Sequence, residues 1–251
     1  MMQEESRIAL LIDADNCPAS KIDLMLDELA KYGVTNIRRA YGNWKSSSLN
    51  GWADKVHEFA IQPVQQFAYT KGKNATDSAM IIDAMDLLYT QQLDGFCLAS
   101  SDSDFTPLVM RIRANGLKVY GFGEKKTPMP FVNACSRFLY LENLIVESAD
   151  DTAPAAAKPE RVSSKALRGD SRITSLLRNA VEACADEEDN WASLSSIGSH
   201  ISNQTPFDPR NYGYKKLGDL IEATGLFESV RRGSHLYLRD KRNKGKGSAG
   251  T

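Results

Sequence analysis

A chain of 251 residues, 42% hydrophobic and 25% charged, has the composition of soluble globular material in one large or two small domains. It has no apolar run near the roughly 18 residues that span a bilayer and no signal segment ahead of Arg7, so no membrane partner is expected and the expected location is cytoplasmic. The net charge of −1 is unevenly spread: Lys and Arg against Asp and Glu give 15 − 20 = −5 over residues 1–157 and 16 − 12 = +4 over residues 158–251, an acidic half beside a basic half that suits polyanions.

Residues 7–147 alternate strand and helix signals. Strands are expected at 8–13, 35–41, 61–67, 95–100, 117–122 and, more weakly, 137–141. The first is the apolar run Ile8 to Ile12, closed by Asp13. Pro18 suits the first turn of a helix over 18–32, with Ile22, Met25, Leu26 and Leu29 on one stripe and Gly33 after its end. Thr76 is the expected N-cap of a helix over 77–90, whose Met80, Ile81, Ala84, Leu87 and Leu88 face inward while Asp83 and Asp86 face solvent. After the strand Gly95–Ala99, Ser103 or Asp104 caps a helix ending near Asn115-Gly116. Repeated βα units imply a three-layer α/β/α domain with a mainly parallel sheet.

Residues 148–165 have almost no bulky apolar side chains and read as a flexible linker. A second unit spans 166–240, with helices expected at 170–184, 193–203 and 214–224. The runs 227–230 and 235–238 then flank Arg231-Arg232-Gly233-Ser234, a hairpin turn. Three helices and a basic hairpin describe a small winged helix-turn-helix domain. The tail 241–251 is basic and is expected to be disordered.

The chemistry-bearing residues are acids. Asp13 and Asn16 stand in Asp-Ala-Asp-Asn behind the first strand, Asp102 and Asp104 in Ser-Ser-Asp-Ser-Asp-Phe behind the fourth, and Asp77 at the start of a helix. Each alone has a plain explanation, since Asp ends strands as a turn former and caps helices. Three strand–helix junctions offering acid at one sheet edge are harder to explain that way. Two unit charges about 4 Å apart repel by roughly 4 kcal/mol at an effective dielectric near 20. A divalent cation is the expected remedy, and phosphoryl transfer or hydrolysis the expected chemistry. Asp15 fits either the rim of this site or a helix cap.

Lys71 and Lys73, just ahead of Asp77, could hold a phosphate, although no P-loop pattern is present. Trp44 and Lys45, in a loop with Tyr41 and Trp52 nearby, could stack on unpaired bases, or the tryptophans could simply pack the loop down. Cys17, Cys97, Cys135 and Cys184 show no C-x-x-C spacing and read as free thiols of a reducing compartment. His57, His200 and His235 are scattered, with no Ser or Cys in a nucleophile-elbow context, so histidine-based nucleophilic catalysis is not expected.

Leu-Ile-Asp-Ala-Asp-Asn at 11–16, Lys-Asn-Ala-Thr-Asp at 73–77 and Ala-Ser-Ser-Asp-Ser-Asp-Phe at 99–105 resemble, in order and spacing, the NYN branch of the PIN-like nuclease superfamily. The resemblance covers about residues 7–145 and implies a Mg²⁺ or Mn²⁺ site made from Asp13, Asp77, Asp102 and Asp104, with Asn16 matching the family's asparagine, and endoribonuclease activity. Phe-Asp-Pro-Arg-Asn-Tyr-Gly-Tyr-Lys-Lys-Leu at 207–217 resembles the OST-HTH (LOTUS) domain, which implies RNA binding. Arg210, Tyr212, Tyr214, Lys215, Lys216, Arg231 and Arg232 are the contact residues expected there.

The function expected is metal-dependent endonucleolytic hydrolysis of RNA, single-stranded or structured, made effectively intramolecular by the tether to the RNA-binding unit. The alternative from another class is a regulatory RNA-binding protein without efficient turnover. A haloacid-dehalogenase-type phosphohydrolase, suggested by Asp13-Ala14-Asp15, is disfavoured because Asn16-Cys17-Pro18 departs from its motif. Besides RNA, the partner kept open is a second copy of the chain, as a homodimer.

Overall fold

The computed structural model describes residues 5–66, 75–144 and 161–243, and the chain divides into two compact units after Ala156. Lys71, Lys73, residues 148–160 of the expected linker and residues 244–251 of the tail lie outside the described residues. Among the described residues no helix is long and apolar enough to cross a membrane.

The first unit runs β1 (Arg7–Asp13), α1 (Ile22–Leu29), β2 (Val34–Gly42), α2 (Ala53–Glu58), β3 (Gln62–Gln65), α3 (Ala75–Thr90), β4 (Gly95–Ala99), α4 (Thr106–Ala114), β5 (Lys118–Gly123), α5 (Met129–Ala134) and β6 (Arg137–Tyr140). The strands form one sheet in the order β3-β2-β1-β4-β5-β6, with every neighbouring pair parallel. Order reverses between β1 and β4, and in such sheets the crevice for a ligand opens there, beyond the carboxyl ends of the strands.

β1 explains why the sheet forms. Ile8, Leu10 and Ile12 enter a core with Met25 and Leu29 of α1 and Val56 of α2. Ala9 and Leu11 enter a second core with Met80, Ala84 and Leu87 of α3 and Val109 and Ile112 of α4. Burying each of the larger aliphatic side chains contributes about 1.5–3 kcal/mol, so a strand apolar on both faces is stable only between two helical layers. The α/β/α architecture read from the sequence is the one observed.

Several local expectations change. The helix expected over 18–32 is a 3₁₀ turn at Ala19–Lys21 followed by α1, and Pro18 lies just before it in extended conformation. Gly33 is required by proximity: a Cβ there would lie 2.1 Å from the Ser6 carbonyl oxygen. α3 starts at Ala75, so Thr76 lies inside the helix and is not its N-cap. Asp83 does not simply face solvent: it accepts hydrogen bonds from Arg39 of β2 and from the hydroxyl of Tyr41, a tie between α3 and the sheet.

The second unit comprises α6 (Ser164–Gly169), α7 (Ser171–Cys184), β7 (Ala192–Ser193), α8 (Leu194–Gln204), α9 (Leu217–Thr224), β8 (Phe227–Arg232) and β9 (His235–Asp240). The strands form an antiparallel sheet in the order β7-β9-β8. Asp170 caps α7 by accepting from the amides of Arg172 and Ile173, and Ser193 caps α8 by accepting from Ser196. Leu167, Leu177, Val181, Ile197, Ile201, Leu220, Ile221 and Leu238 form the core. The β8–β9 hairpin turns at Gly233-Ser234, where Gly233 has φ +61°, and it is the expected wing. Residues 161–165, read as the end of the linker, already belong to this unit: Ser163 caps α6, and the Val162 carbonyl accepts the Tyr214 hydroxyl at 2.8 Å. Lys241–Asn243, at the start of the expected tail, form a 3₁₀ turn.

Candidate metal centre and nucleic-acid surfaces

Asp13 is the last residue of β1 and is fully buried. Its Oδ2 accepts from the Asn16 amide at 2.9 Å and from the Ser100 hydroxyl at 2.8 Å. Its Oδ1 is also buried and meets no donor among the described residues. Burial raises the Asp13 pKa; Asn16 and Ser100 work against the shift, and the charge of Asp15 works with it. An acceptor without a donor in the interior costs about 1–3 kcal/mol.

Beyond β4 the chain turns through Ser100 and Ser101 into the acidic loop. The Ser100 hydroxyl, besides serving Asp13, accepts the Asp102 amide at 3.1 Å. Asp102 itself accepts the Asp104 amide at 2.8 Å and caps the 3₁₀ turn Ser103–Phe105 that leads into α4. Neither Ser103 nor Asp104 caps α4: Asp102, with an extended backbone, caps the 3₁₀ turn, and Phe105 stands at the N-cap position of α4 with no side-chain cap. Ligand oxygens of Asp77, Asp102 and Asp104 all lie within 4.8 Å of one another, with Asp77 buried, Asp102 half-buried and Asp104 exposed.

Burial first, and then the charges of Asp13, Asp102, Asp104 and Asp15, push the Asp77 carboxyl up from 3.8 to about 6. Asp15 stands at the rim, where it accepts the Thr76 hydroxyl at 3.1 Å; Pro18 holds the helix-cap position instead. Asp77, Asp102 and Asp104 thus meet at the switch in strand order. Asp13 acts on Asp77 through its charge but stands outside that group of three, and Asn16 holds Asp13. Sequence reading missed Ser100, whose only signal was a serine between an apolar strand and an acidic loop.

The residues expected to meet RNA are distributed differently. Lys45 is exposed, but Trp44 is half-buried, packs against the core and donates its indole N–H to the Val64 carbonyl at 3.0 Å. Trp52 is buried and donates to the Cys17 carbonyl at 3.2 Å, so the two tryptophans pin the loop. In the second unit Tyr214 is only 6% exposed, a core side chain and not a contact. Arg210 holds buried Asp208 through its guanidinium and its backbone amide, and Tyr212 stacks on Phe207 with centroids 5.4 Å apart. Lys215, Lys216, Arg231 and Arg232 are exposed. Trp191, absent from the expected contacts, lies beneath the guanidinium groups of Arg232 and Arg239.

A family model for the NYN domain matches residues 7–142, and one for the OST-HTH/LOTUS domain matches residues 168–238. An uncharacterized protein of Methanocaldococcus jannaschii is 31% identical over 123 residues, covering 47% of this chain and 48% of the relative; the chain spans about half the length of that curated relative. A crystal structure of a protein of unknown function from Vibrio parahaemolyticus is similar with a TM-score of 0.47 at 17% identity, over 60% of this chain and 97% of that one.

Proposed function

The chain belongs to the NYN domain family and carries an OST-HTH/LOTUS domain behind it, and from that premise we propose that it is a metal-dependent endoribonuclease hydrolysing RNA phosphodiester bonds, with the second unit holding the RNA. The observation that carries this reading is the meeting of the Asp77, Asp102 and Asp104 carboxylates within 4.8 Å of one another at the sheet's switch point.

The donor set fits a hard divalent cation. It is all oxygen, it lies beside a buried Asp13 oxygen without a donor, and no His or Cys joins it among the described residues. Asp77, Asp102 and Asp104 would hold Mg²⁺ or Mn²⁺, with Asp13 beside them. Such an ion, when bound, activates a water and neutralises charge on the phosphate and the leaving oxygen.

The chain's own part is positioning. Asn16 and Ser100 fix one oxygen of Asp13 and leave the other open. Asp102 is held by the turn it caps, and Thr76 orients Asp15 at the entrance. No histidine is required as a base. The cytoplasmic location belongs to the same proposal and is supported by four free thiols.

The test is a cleavage assay on single-stranded and structured RNA with Mg²⁺, Mn²⁺ or EDTA, wild type against Asp102→Asn. Cleavage by the wild type with either ion, and none with EDTA or the variant, is the expected result. RNA retention with no cleavage under any condition would reduce the protein to an RNA-binding one.

A further inference from the structure

We infer that the outer face of the three-stranded sheet in the second unit, built around Trp191, is a surface for unpaired RNA bases, and that Asp189 competes with an RNA phosphate for Arg232. This rests on RNA being the ligand, as proposed above, and says where and how the second unit takes it.

The register of the hairpin places Glu228 opposite Arg239 and Val230 opposite Tyr237. Leu238 and Asp240 of β9 are buried, so alternation turns Tyr237 and Arg239 to the other side of the sheet. There the Arg239 guanidinium lies 4.7 Å from the Trp191 ring centroid, and that of Arg232 lies 5.7 Å from Trp191 and 5.0 Å from Tyr237. Each guanidinium also has one carboxylate partner, Asp189 at 2.7 Å from Arg232 and Glu228 at 2.7 Å from Arg239.

Trp191 is held deliberately. Asp189 accepts its backbone amide at 3.0 Å, and Asn190 before it has φ 58°, a left-handed conformation that asparagine takes more readily than most residues. The Trp191 amide and then Arg232 keep the Asp189 carboxyl below its ordinary range, so it stays an anion.

Two guanidinium groups over two aromatic rings gather flat, cationic groups on one face, the kind of surface on which an unpaired base can stack. Base stacking on such platforms is worth about 1–3 kcal/mol per base. The N–H edge of a guanidinium binds phosphate with the geometry it uses for carboxylate, so the exposed Asp189–Arg232 pair occupies the position a phosphate would take. The face offers planar groups and guanidinium edges, not the apolar centre that a protein interface needs. Single strands are therefore the fitting ligand, since a duplex keeps its base faces covered.

The experiment uses the full chain in EDTA, where cleavage is off, and a fluorescein-labelled mixed-sequence 20-nucleotide RNA, single-stranded or annealed to its complement. Fluorescence anisotropy gives affinity, and tryptophan emission reports the stack. Arg232→Gln is expected to weaken single-strand binding about tenfold and Asp189→Asn to tighten it about threefold, within the range that stacking and one charged contact span. RNA should change wild-type tryptophan emission and leave that of Trp191→Phe unchanged.

Wild-type affinity in both Arg232→Gln and Asp189→Asn, with unaltered circular dichroism, would overturn the inference. Equal affinity for duplex would also overturn it. The two readings are separable: a wild type that binds no RNA defeats both, whereas RNA cleavage with Mg²⁺ or Mn²⁺ alongside binding indifferent to these variants defeats only the surface.

Discussion

Ser100 donates its hydroxyl to Asp13 over 2.8 Å and accepts the Asp102 amide on the same oxygen. One side chain thus sets both a buried carboxylate and the loop beside it. Ser100→Ala should lower Mn²⁺ affinity or cleavage about 10–100-fold, the usual effect of losing a group that orients metal ligands. Calorimetric Mn²⁺ titration and a melting curve check this; unchanged affinity in a folded variant would contradict it.

Asp102 caps a turn and is one of the proposed metal ligands, and substitutions can separate the two roles. Asn still caps well, so Asp102→Asn should lose Mg²⁺-dependent cleavage with little change in stability. Asp102→Ala should lose cleavage and a further ~1 kcal/mol of stability. Urea unfolding of the two variants side by side measures the difference.

Asp77 makes the metal-free protein pH-dependent. Its folded pKa, about 6, lies above the unfolded value of 3.8, so the folded state binds more protons between them. Its contribution is therefore most favourable at low pH and is lost as pH rises through about 6. In EDTA, Asp77→Asn should stabilise the protein by on the order of 2 kcal/mol at pH 8 and by little at pH 4. Mg²⁺ should raise the wild-type melting temperature more at pH 8 than at pH 5, and an equal rise at both would refute the assignment.

Asp83 ties α3, which carries Asp77, to Arg39 and Tyr41 of β2. Removing it leaves the half-buried Arg39 without its carboxylate partner. Asp83→Ala should cost about 3 kcal/mol, read from denaturant midpoints. Combining it with Arg39→Met should recover part of that loss.

Much of this molecule is legible in its sequence because β1 is apolar at consecutive positions, a pattern that only a strand covered on both sides explains. The acids were legible for a similar reason, since Asp13 closes one such strand and Asp102 stands just beyond the end of another. Ser100 was not, because a serine's role depends on which residues the sheet brings to it from 87 positions away. Tyr214 misled for the opposite reason: an aromatic between basic residues reads as a contact, and its burial depends on the chain returning at Val162. Trp191 depended on cross-strand register, which a two-residue strand does not announce.

The central strand sends its side chains alternately into two separate cores, and its tip belongs to neither. Among the acids gathered beyond that tip, Asp77 brings burial and like-charge repulsion into the folded state, whereas Asp102 also holds its turn together. On the proposed function, a single substitution among these acids would turn a domain that cuts RNA into one that only holds it, with the two cores left intact.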